Sequence, residues 1–221
     1  MLEAGAATFA GRIPLILKVN SANLLYPKDG PKTQAVTASV HDALRLGCVA
    51  VGLTIYPASM KSYDMFETAR EFVAAAKDVG LPTIIWSYPR GEDLSKDGET
   101  AIDVATYATQ MAALLGAHII KVKLPTQFVE AADVGELYAK GRVPIATLTD
   151  RIKLVMQAAL GGRRMVVFSG GAKKGDAGII EEAHAIKAGG GNGSIIGRNS
   201  FQRSKADALK LLSELVEVYR G

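Results

Sequence analysis

Several large classes of protein are excluded by what this sequence lacks. Its single cysteine, Cys48, rules out a disulfide framework and leaves no pair of thiolates for a metal site. Aromatic residues make up only 6% of the 221 residues and do not alternate with basic residues, so a surface that stacks nucleic-acid bases is not expected. No apolar run approaches the roughly 18 to 20 residues that cross a bilayer, and residues 1–5 are unlike the start of a signal peptide. We therefore expect a cytoplasmic protein that binds neither nucleic acid nor membrane.

Neither positive nor negative charge is in large excess. The chain has 26 Lys and Arg against 22 Asp and Glu, a net charge of +4, and a pI of about 9.1. The basic pairs Arg163-Arg164 and Lys173-Lys174 are too short for a nucleic-acid stripe, whereas a phosphorylated small molecule suits so modest a surplus. The three histidines show no metal-ligand spacing with acidic residues, so we expect no metal and no other cofactor.

What the sequence does contain is a repeated alternation of strand and helix patterns. No linker interrupts it, so we predict a single α/β domain over residues 1–221. The predicted buried strands are residues 15–19, 49–55, 83–88, 119–123, 165–168 and 194–196. The predicted helices, most of which end at glycine, are residues 2–10, 37–46, 62–79, 102–115, 150–160, 178–188 and 204–219.

Two architectures fit this alternation: an open doubly wound sheet and a closed (β/α)8 TIM barrel. Residues two apart on a strand share a face. The polar pairs at strand ends are Lys18 with Asn20, Thr54 with Tyr56, Trp86 with Tyr88, and Lys121 with Lys123. A polar ring at the carboxyl ends of strands is typical of barrels, whereas an open sheet concentrates polar groups at one point. We predict the barrel, with six recognisable βα units where a closed barrel needs eight.

Lys121 and Lys123 carry the strongest chemical signal. Both lie inside an apolar strand and point the same way. Burial and a neighbouring cation both lower the pKa of a lysine amine, and the neutral amine attacks a carbonyl to give a Schiff base. The alternative is that one or both lysines pair with an acid or bind an anion. We count Lys123 among the candidate substrate-binding residues, because it either tunes its neighbour or grips an anion.

Aromatic and arginine side chains follow the third predicted strand. Trp86 and Tyr88 are expected to face inward, Pro89 stops the strand, and Arg90 lies where a loop can offer its guanidinium to an anion. Tyr88 is a candidate for moving protons at a reacting carbon. The alternative is a pair of core aromatics, with the tyrosine hydroxyl bound to backbone.

Glycines follow two consecutive strands near the C-terminus. Ser169-Gly170-Gly171 ends one strand, and Gly197-Arg198 ends the next. Glycine lets backbone N–H groups approach an oxyanion closely, and the last two loops of (β/α)8 enzymes commonly bind phosphate. We therefore predict a phosphate site there, although a lone glycine after a strand is usually only a turn.

With these residues the chain resembles the archaeal-type class I fructose-1,6-bisphosphate aldolases. The resemblance runs from about Ile13 to Tyr219 and is most specific at residues 13–20, 50–56, 119–121 and 169–171. It implies a (β/α)8 barrel that forms homo-oligomers and acts on phosphorylated sugars, in glycolysis or gluconeogenesis. It implies that Lys121 is the Schiff-base lysine, that Tyr88 transfers protons and that Trp86 lines the pocket. The residues implied to hold a substrate phosphate are Ser169, Gly170, Gly171, Gly197 and Arg198.

The chain departs from that family at its N-terminus. Family members carry two further βα units ahead of the segment that matches Ile13, and their first strand ends in an aspartate that helps to position the substrate. Met1 falls within the second family helix, so the sequence is expected to be a fragment, a misassigned start or a natural short form.

Three functions are open at this point. The first is reversible cleavage of fructose 1,6-bisphosphate to glycerone phosphate and glyceraldehyde 3-phosphate. The second keeps the lysine but joins another sugar phosphate to an aldehyde, as in a related aldolase or transaldolase. The third is an inactive, incomplete barrel that only binds phosphosugars.

Overall fold

The computed structural model describes residues 2–27, 29–170 and 175–220. The strands are β1 (Ile16–Lys18), β2 (Asn20–Ser21), β3 (Ala35–Val36), β4 (Ala50–Ile55), β5 (Thr83–Ser87), β6 (Ile119–Lys123), β7 (Met165–Ser169) and β8 (Gly193–Ile195). The α-helices are α1 (Leu2–Phe9), α2 (Val40–Arg45), α3 (Ser62–Asp78), α4 (Ile102–Leu114), α5 (Ala132–Ala139), α6 (Leu148–Ala158), α7 (Asp176–Ala188), α8 (Arg198–Phe201) and α9 (Lys205–Arg220). A 3-10 turn spans Gly98–Thr100.

The larger sheet confirms the α/β class that the sequence predicts. Its strand order follows the chain, β1-β4-β5-β6-β7-β8, and the β1–β4, β4–β5 and β7–β8 pairs are parallel. Each strand lies within one of the six predicted apolar runs or extends it by a residue. Strands β2 and β3 form a separate antiparallel pair. The closed eight-unit barrel, and the absence of two of its units, stay predictions.

The chain divides into two compact units. Unit 1 comprises Met1–Leu94 and Met111–Ile120, and unit 2 comprises Ser95–Gln110 and Lys121–Gly221. The single domain over residues 1–221 stays a prediction. None of the helices described is long and apolar enough to cross a membrane.

The core of unit 1 lies on β4, all six residues of which are buried. A parallel strand covered on both faces needs such a continuous apolar run. Helix α3 buries Met65, Ala69, Val73 and Ala76, at the spacing of one helical face. The ring of Trp86 in β5 lies directly over Gly52 in β4, where an added Cβ would stand 2.0 Å from the ring atom Cζ3. Glycine at position 52 therefore leaves the space that the indole fills.

The core of unit 2 is formed by β7 and the helices of the C-terminal half. Val166 and Phe168 are fully buried on β7, and the alternate residues of the strand are less so. The helical residues buried in unit 2 include Ile152, Val155, Ile179, Ala183, Ile186, Leu211, Leu215 and Val218. Their spacing of three or four residues explains why the sequence pattern predicted α6, α7 and α9.

Helix boundaries differ from the predicted ones where a side chain caps the helix. Helix α2 begins at Val40 rather than at residue 37, because Ser39 and Asp42 form a capping box. The backbone N–H of Thr37 instead donates to the carbonyl of Val19, at 2.8 Å. Helix α6 begins earlier than residue 150, at Leu148, after a second capping box. The short helices α5 and α8 were not predicted, since neither buries an apolar face.

Candidate active site

Strand β6 presents its two lysines on one face, as the sequence predicts. Ile120 and Val122 are buried, whereas the alternate residues Lys121 and Lys123 are partly exposed. Because the apolar side chains cover one face of the strand, the lysines lie on the other. Lys121 lines a cavity of about 360 Å³ in unit 2.

The same cavity contains most of the predicted phosphate-binding residues. Ser169 and Gly170 reach it from the end of β7, and Gly197 and Arg198 from the segment that follows β8. The structure therefore brings Lys121 together with both glycine loops. Gly171, which was predicted with them, lies outside the described residues, as do Lys173 and Lys174.

The cavity has a surplus of positive charge. Its charged lining residues, among those described, are Lys121, Arg198 and Glu182. Two cations and one carboxylate suit an anionic ligand better than a neutral one. Glu182 was missed by sequence reasoning, although its position on α7, three residues after the buried Ile179, marks it as a neighbour of the core face. Asn199 also lines the cavity and was missed because α8 is too short to show a periodic pattern.

Ser169 is bound to the neighbouring strand. Its Oγ donates to the carbonyl of Val122 at 3.2 Å, and the backbone N–H of Leu124 donates to the Ser169 carbonyl at 3.4 Å. These bonds fix the end of β7 beside the lysine strand. Besides this hydroxyl, the cavity lining contains the side chains of Lys121 and Arg198, both of which are hydrogen-bond donors.

Lys123 is ion-paired with Glu99 of the 3-10 turn. The distance from Nζ to Oε2 is 2.5 Å, and the two side chains are 27% and 15% exposed. Burial alone would raise the pKa of Glu99, but the hydrogen bonds and charges of Lys123 and Lys96 outweigh it and hold that pKa below its usual value. Pairing of a β6 lysine with an acid is the alternative that the sequence left open.

Strand β8 is tied to the C-terminal helix. The hydroxyl groups of Ser194 and Tyr219 are 2.6 Å apart, and the ammonium of Lys187 donates to the carbonyl of Val218 at 2.8 Å. Burial raises the pKa of Tyr219, and its hydrogen bond with Ser194 partly opposes that shift. The Ser194 contact links α9 to the strand that leads into the cavity, whereas the Lys187 contact joins α7 to α9.

The aromatic residues of the predicted site belong to unit 1. Trp86 lies on β5, and Tyr88 follows that strand with its backbone N–H bound to the Ile55 carbonyl at 3.1 Å. The guanidinium carbon of Arg90 is 5.8 Å from the ring centroids of both Tyr56 and Tyr88, a cation–π arrangement. Arg90 and Tyr56 line a second cavity, of about 410 Å³.

Three further residues noted in the sequence are part of the packed structure of unit 1, namely Asn20, His118 and Cys48. Asn20 is buried, and its carboxamide exchanges two 2.8 Å hydrogen bonds with the backbone of Thr54. Nδ1 of His118 accepts a hydrogen bond from the Thr83 backbone N–H at 3.0 Å. Cys48 is buried, as expected of a small core residue. Across the described residues, no three His, Cys, Asp or Glu side chains come together as a metal site would require.

The fold and the cavity define a class of protein. Ligand sites of α/β proteins lie at the carboxyl ends of parallel strands, and here that position carries a lysine, two glycine loops and an arginine. A lysine amine is one of the groups with which enzymes capture a carbonyl compound as a Schiff base, and glycine loops with an arginine can bind an anion. The chain is a member of the DeoC/LacD family of aldolases, whose family model matches residues 1–203.

Individual relatives agree with this family. The chain is 34% identical over 217 residues to the class 1 fructose-bisphosphate aldolase of Thermoproteus tenax, covering 96% of this chain and 70% of the relative. It is 31% identical over 229 residues to a probable fructose-bisphosphate aldolase class 1 of Chlamydia muridarum, covering 97% of this chain and 64% of the relative. The chain thus spans about two thirds of the length of these relatives.

Solved structures give the same picture. An archaeal fructose 1,6-bisphosphate aldolase superposes with a TM-score of 0.79 at 32% identity, over 99% of this chain and 76% of that one. A second archaeal aldolase, with its catalytic lysine covalently bound to the carbinolamine intermediate of the substrate, has a TM-score of 0.80 at 30% identity. That match covers 100% of this chain and 76% of the solved one.

Proposed function

We propose that this chain is a class I aldolase that reversibly cleaves fructose 1,6-bisphosphate to glycerone phosphate and glyceraldehyde 3-phosphate. The observation that carries the proposal is the cavity in which Lys121 meets Ser169, Gly170, Gly197 and Arg198. The relatives named for this activity match nearly the whole chain. A lysine amine and an anion site within one cavity are what capture of a phosphorylated ketone requires.

The proposed reaction begins at the amine of Lys121. The neutral amine adds to the C2 carbonyl, and loss of water gives an iminium. The C3–C4 bond then breaks and its electron pair moves into the iminium, which becomes an enamine. The C4 hydroxyl loses its proton as C4 becomes the aldehyde carbon. Protonation of the enamine at C3, followed by hydrolysis of the iminium, releases glycerone phosphate and restores the amine.

Tyr88 is the proposed proton-transfer residue, and Trp86 is proposed to line the substrate pocket. Support comes from their positions on and just after β5, together with the family resemblance. A tyrosine hydroxyl both accepts and donates a hydrogen bond. It can therefore take the proton from the C4 hydroxyl and later return one to the carbon skeleton.

The proposed phosphate site consists of the two glycine loops. Arg198 supplies a charge-assisted contact, and the backbone N–H groups near Gly170 and Gly197 supply neutral ones. Gly171 is kept in this proposal on the strength of the sequence pattern. Ser169 contributes by holding the end of β7 against β6. The positive charge of Lys123 is proposed to favour binding of the substrate at this site.

Turnover by purified variants tests the proposal. Cleavage of fructose 1,6-bisphosphate, followed by the appearance of glyceraldehyde 3-phosphate, is expected in the natural chain and absent in Lys121→Ala. The matched control is Lys153→Ala, because Lys153 is an exposed lysine on α6. Binding of the sugar phosphate without turnover in the natural chain would instead support the phosphosugar-binding alternative. Equal turnover in Lys121→Ala would reject the amine mechanism.

A second candidate function has one observation in its favour. A relative from Methanocaldococcus jannaschii, 28% identical over 213 residues, is named fructose-bisphosphate aldolase/6-deoxy-5-ketofructose 1-phosphate synthase. One relative is thus named for a second activity beside that of an aldolase. Turnover measured with a panel of aldehyde acceptors separates the two, since fructose 1,6-bisphosphate cleavage must dominate if the first proposal holds.

The remaining features are proposed from the same resemblance. The six strands correspond to six βα units of an eight-unit barrel, a view supported by the 76% coverage of the solved aldolases. We propose a cytoplasmic homo-oligomer that works in glycolysis or gluconeogenesis without a cofactor. Light scattering coupled to gel filtration tests the oligomer, and a monomeric mass would reject it.

A further inference from the structure

Lys123 shares a face of β6 with Lys121 and forms an ion pair with a carboxylate. The Lys123 ammonium lies 2.5 Å from Oε2 of Glu99, and Lys96 lies 3.0 Å from the other oxygen, Oε1. The Lys96 side chain is 86% exposed, whereas the Glu99 and Lys123 side chains are mostly covered. The inner pair is therefore the one that acts at short range with little screening by water.

Glu99 is held in place by backbone as well as by charge. It is the central residue of the 3-10 turn, and the next residue, Thr100, accepts a hydrogen bond from the Thr126 backbone N–H at 2.7 Å. The Ile102 N–H donates to the carbonyl of Phe128 at 2.9 Å. The turn is thereby fastened to the segment that follows β6, so the carboxylate is presented to the lysine strand in a fixed position.

We propose that Glu99 is a positioning residue, which fixes the Lys123 ammonium two residues from the nucleophile and sets the local charge in which Lys121 reacts. This inference rests on the proposed function, because it assumes that Lys121 is the nucleophile. In this proposal Lys123 acts on Lys121 through its charge while it is ion-paired with Glu99.

The effect of the Lys123–Glu99 pair on Lys121 depends on the other charges around that lysine. Glu182 and Arg198 line its cavity, and Lys123 lies on its own strand face with Glu99 and Lys96 behind it. A carboxylate stabilises a nearby ammonium, and a cation destabilises it. Removal of Glu99 leaves the Lys123 ammonium without its carboxylate and favours the neutral amine at Lys121, whereas removal of Lys123 leaves the Glu99 carboxylate paired only with the exposed Lys96 and favours the ammonium. The two deletions therefore act in opposite directions.

The test is the pH profile of borohydride trapping with glycerone phosphate, read by mass spectrometry of the Lys121 peptide. The pH of half-maximal trapping is expected to fall by about 0.5 to 1 unit in Glu99→Gln and to rise by a similar amount in Lys123→Met. The double variant is expected to return close to the natural value. Lys123→Arg, which keeps the charge, and Lys153→Gln, an exposed control on α6, are expected to leave the midpoint in place.

A purely structural role for Glu99 gives a different pattern. Trapping would then weaken in Glu99→Gln and in Lys123→Met without opposite shifts of the midpoint, and the inference would be overturned. Reductive methylation of Lys121 with formaldehyde and cyanoborohydride, in the absence of sugar, gives a second profile. If the natural chain is not trapped by glycerone phosphate, the proposed function fails. The pH midpoints of methylation still test the proposed effect of Glu99 and Lys123 on Lys121. Midpoints that are unchanged in both single variants would reject that effect.

Discussion

At the scale of single residues, sequence position alone does not separate Lys121 from Lys123. Both alternate with buried aliphatic residues on β6, so the strand pattern treats them alike. Their surroundings differ, since Lys123 meets the carboxylate of Glu99 and Lys121 lines a cavity with Arg198. A nucleophile needs space for a carbonyl group next to its amine. The cavity therefore favours Lys121 as the reacting residue.

Replacement of Tyr88 tests the division of labour in the proposed mechanism. Tyr88→Phe removes the hydroxyl that is proposed to move protons, so turnover is expected to fall by about 10²- to 10⁴-fold. Attack by the lysine does not need that hydroxyl, so borohydride trapping is expected to persist. The control is Tyr107→Phe, at a tyrosine that is 56% exposed on α4. Unchanged turnover in Tyr88→Phe would remove this tyrosine from the mechanism.

Gly52→Ala tests the packing of the indole. The added methyl would stand 2.0 Å from the ring of Trp86, so the ring must move, at an expected cost of about 1 to 3 kcal/mol in the free energy of unfolding. Trp86 is the only tryptophan of the chain, and its fluorescence therefore reports that movement directly.

The control for this substitution is Gly135→Ala on α5, where the added methyl would meet no described atom within 4 Å beyond its chain neighbours and the adjacent helix backbone. Its tryptophan emission is expected to match that of the natural chain. If Gly52→Ala leaves both the emission maximum and the stability unchanged, the close packing of Trp86 on Gly52 is wrong.

At the scale of elements, β8 depends on a helix distant in sequence. The hydroxyl of Tyr219 on α9 is bonded to Ser194, three residues before the cavity residue Gly197. Helices α7 and α9 also share a buried cluster that includes Ile179 and Leu215. The C-terminal helix therefore supports the proposed phosphate loop without lining the cavity.

Tyr219→Phe is expected to lower the free energy of unfolding by about 1 kcal/mol, because it removes that hydrogen bond and leaves the ring in place. The apparent affinity for inorganic phosphate is expected to weaken as β8 loosens. Urea titration and phosphate binding measure the two effects. Tyr63→Phe, at a tyrosine 77% exposed on α3, serves as control. Unchanged stability and phosphate binding in Tyr219→Phe would contradict the support given to β8.

Glu92 fastens two loops of unit 1 through their backbone. Its oxygens accept from the N–H groups of Lys32 at 2.6 Å and Met60 at 2.8 Å. Burial alone would raise the pKa of Glu92, but these bonds outweigh it and hold the pKa below the usual 4.5. A carboxyl whose pKa is lower in the folded chain stabilises the fold above its unfolded pKa, and that stabilisation is lost as the pH falls through the folded value.

The difference in free energy of unfolding between the natural chain and Glu92→Gln is therefore expected to be largest near neutral pH. It is expected to shrink as the pH falls below about 4.5. Urea titrations at a series of pH values measure it. Glu67→Gln, at an exposed acid of α3, is the control. A difference that is constant with pH would show that the charge of Glu92 does not hold the loops.

At the scale of the whole molecule, the positions of the six strands of the larger sheet could be read from the sequence because they coincide with short apolar runs. In β4 the run is buried throughout, and in β6 buried aliphatic residues alternate with lysines. The meeting of Lys121 and the two glycine loops in one cavity could also be expected, because the carboxyl ends of parallel strands lie at the same edge of a sheet. These features depend on local pattern and on a general rule of topology.

Other features depend on contacts between distant positions, and the sequence pattern does not encode them. The ion pair of Lys123 with Glu99 joins a strand to a turn 24 residues earlier. Glu182 reaches the cavity from a helix whose pattern indicates only a core face. The helix starts differ from the predicted ones for a local reason, because the capping boxes at Ser39 and Thr147 override the apolar period at the first turn.

Peptide mapping after borohydride reduction tests the central claim most directly. The purified chain is incubated with fructose 1,6-bisphosphate and sodium borohydride, digested, and examined by mass spectrometry. We expect a reduced sugar-phosphate adduct on the amine of Lys121, lost in Lys121→Ala and retained in Lys153→Ala. Aldol cleavage without an adduct on Lys121, or an adduct confined to another lysine, would contradict it.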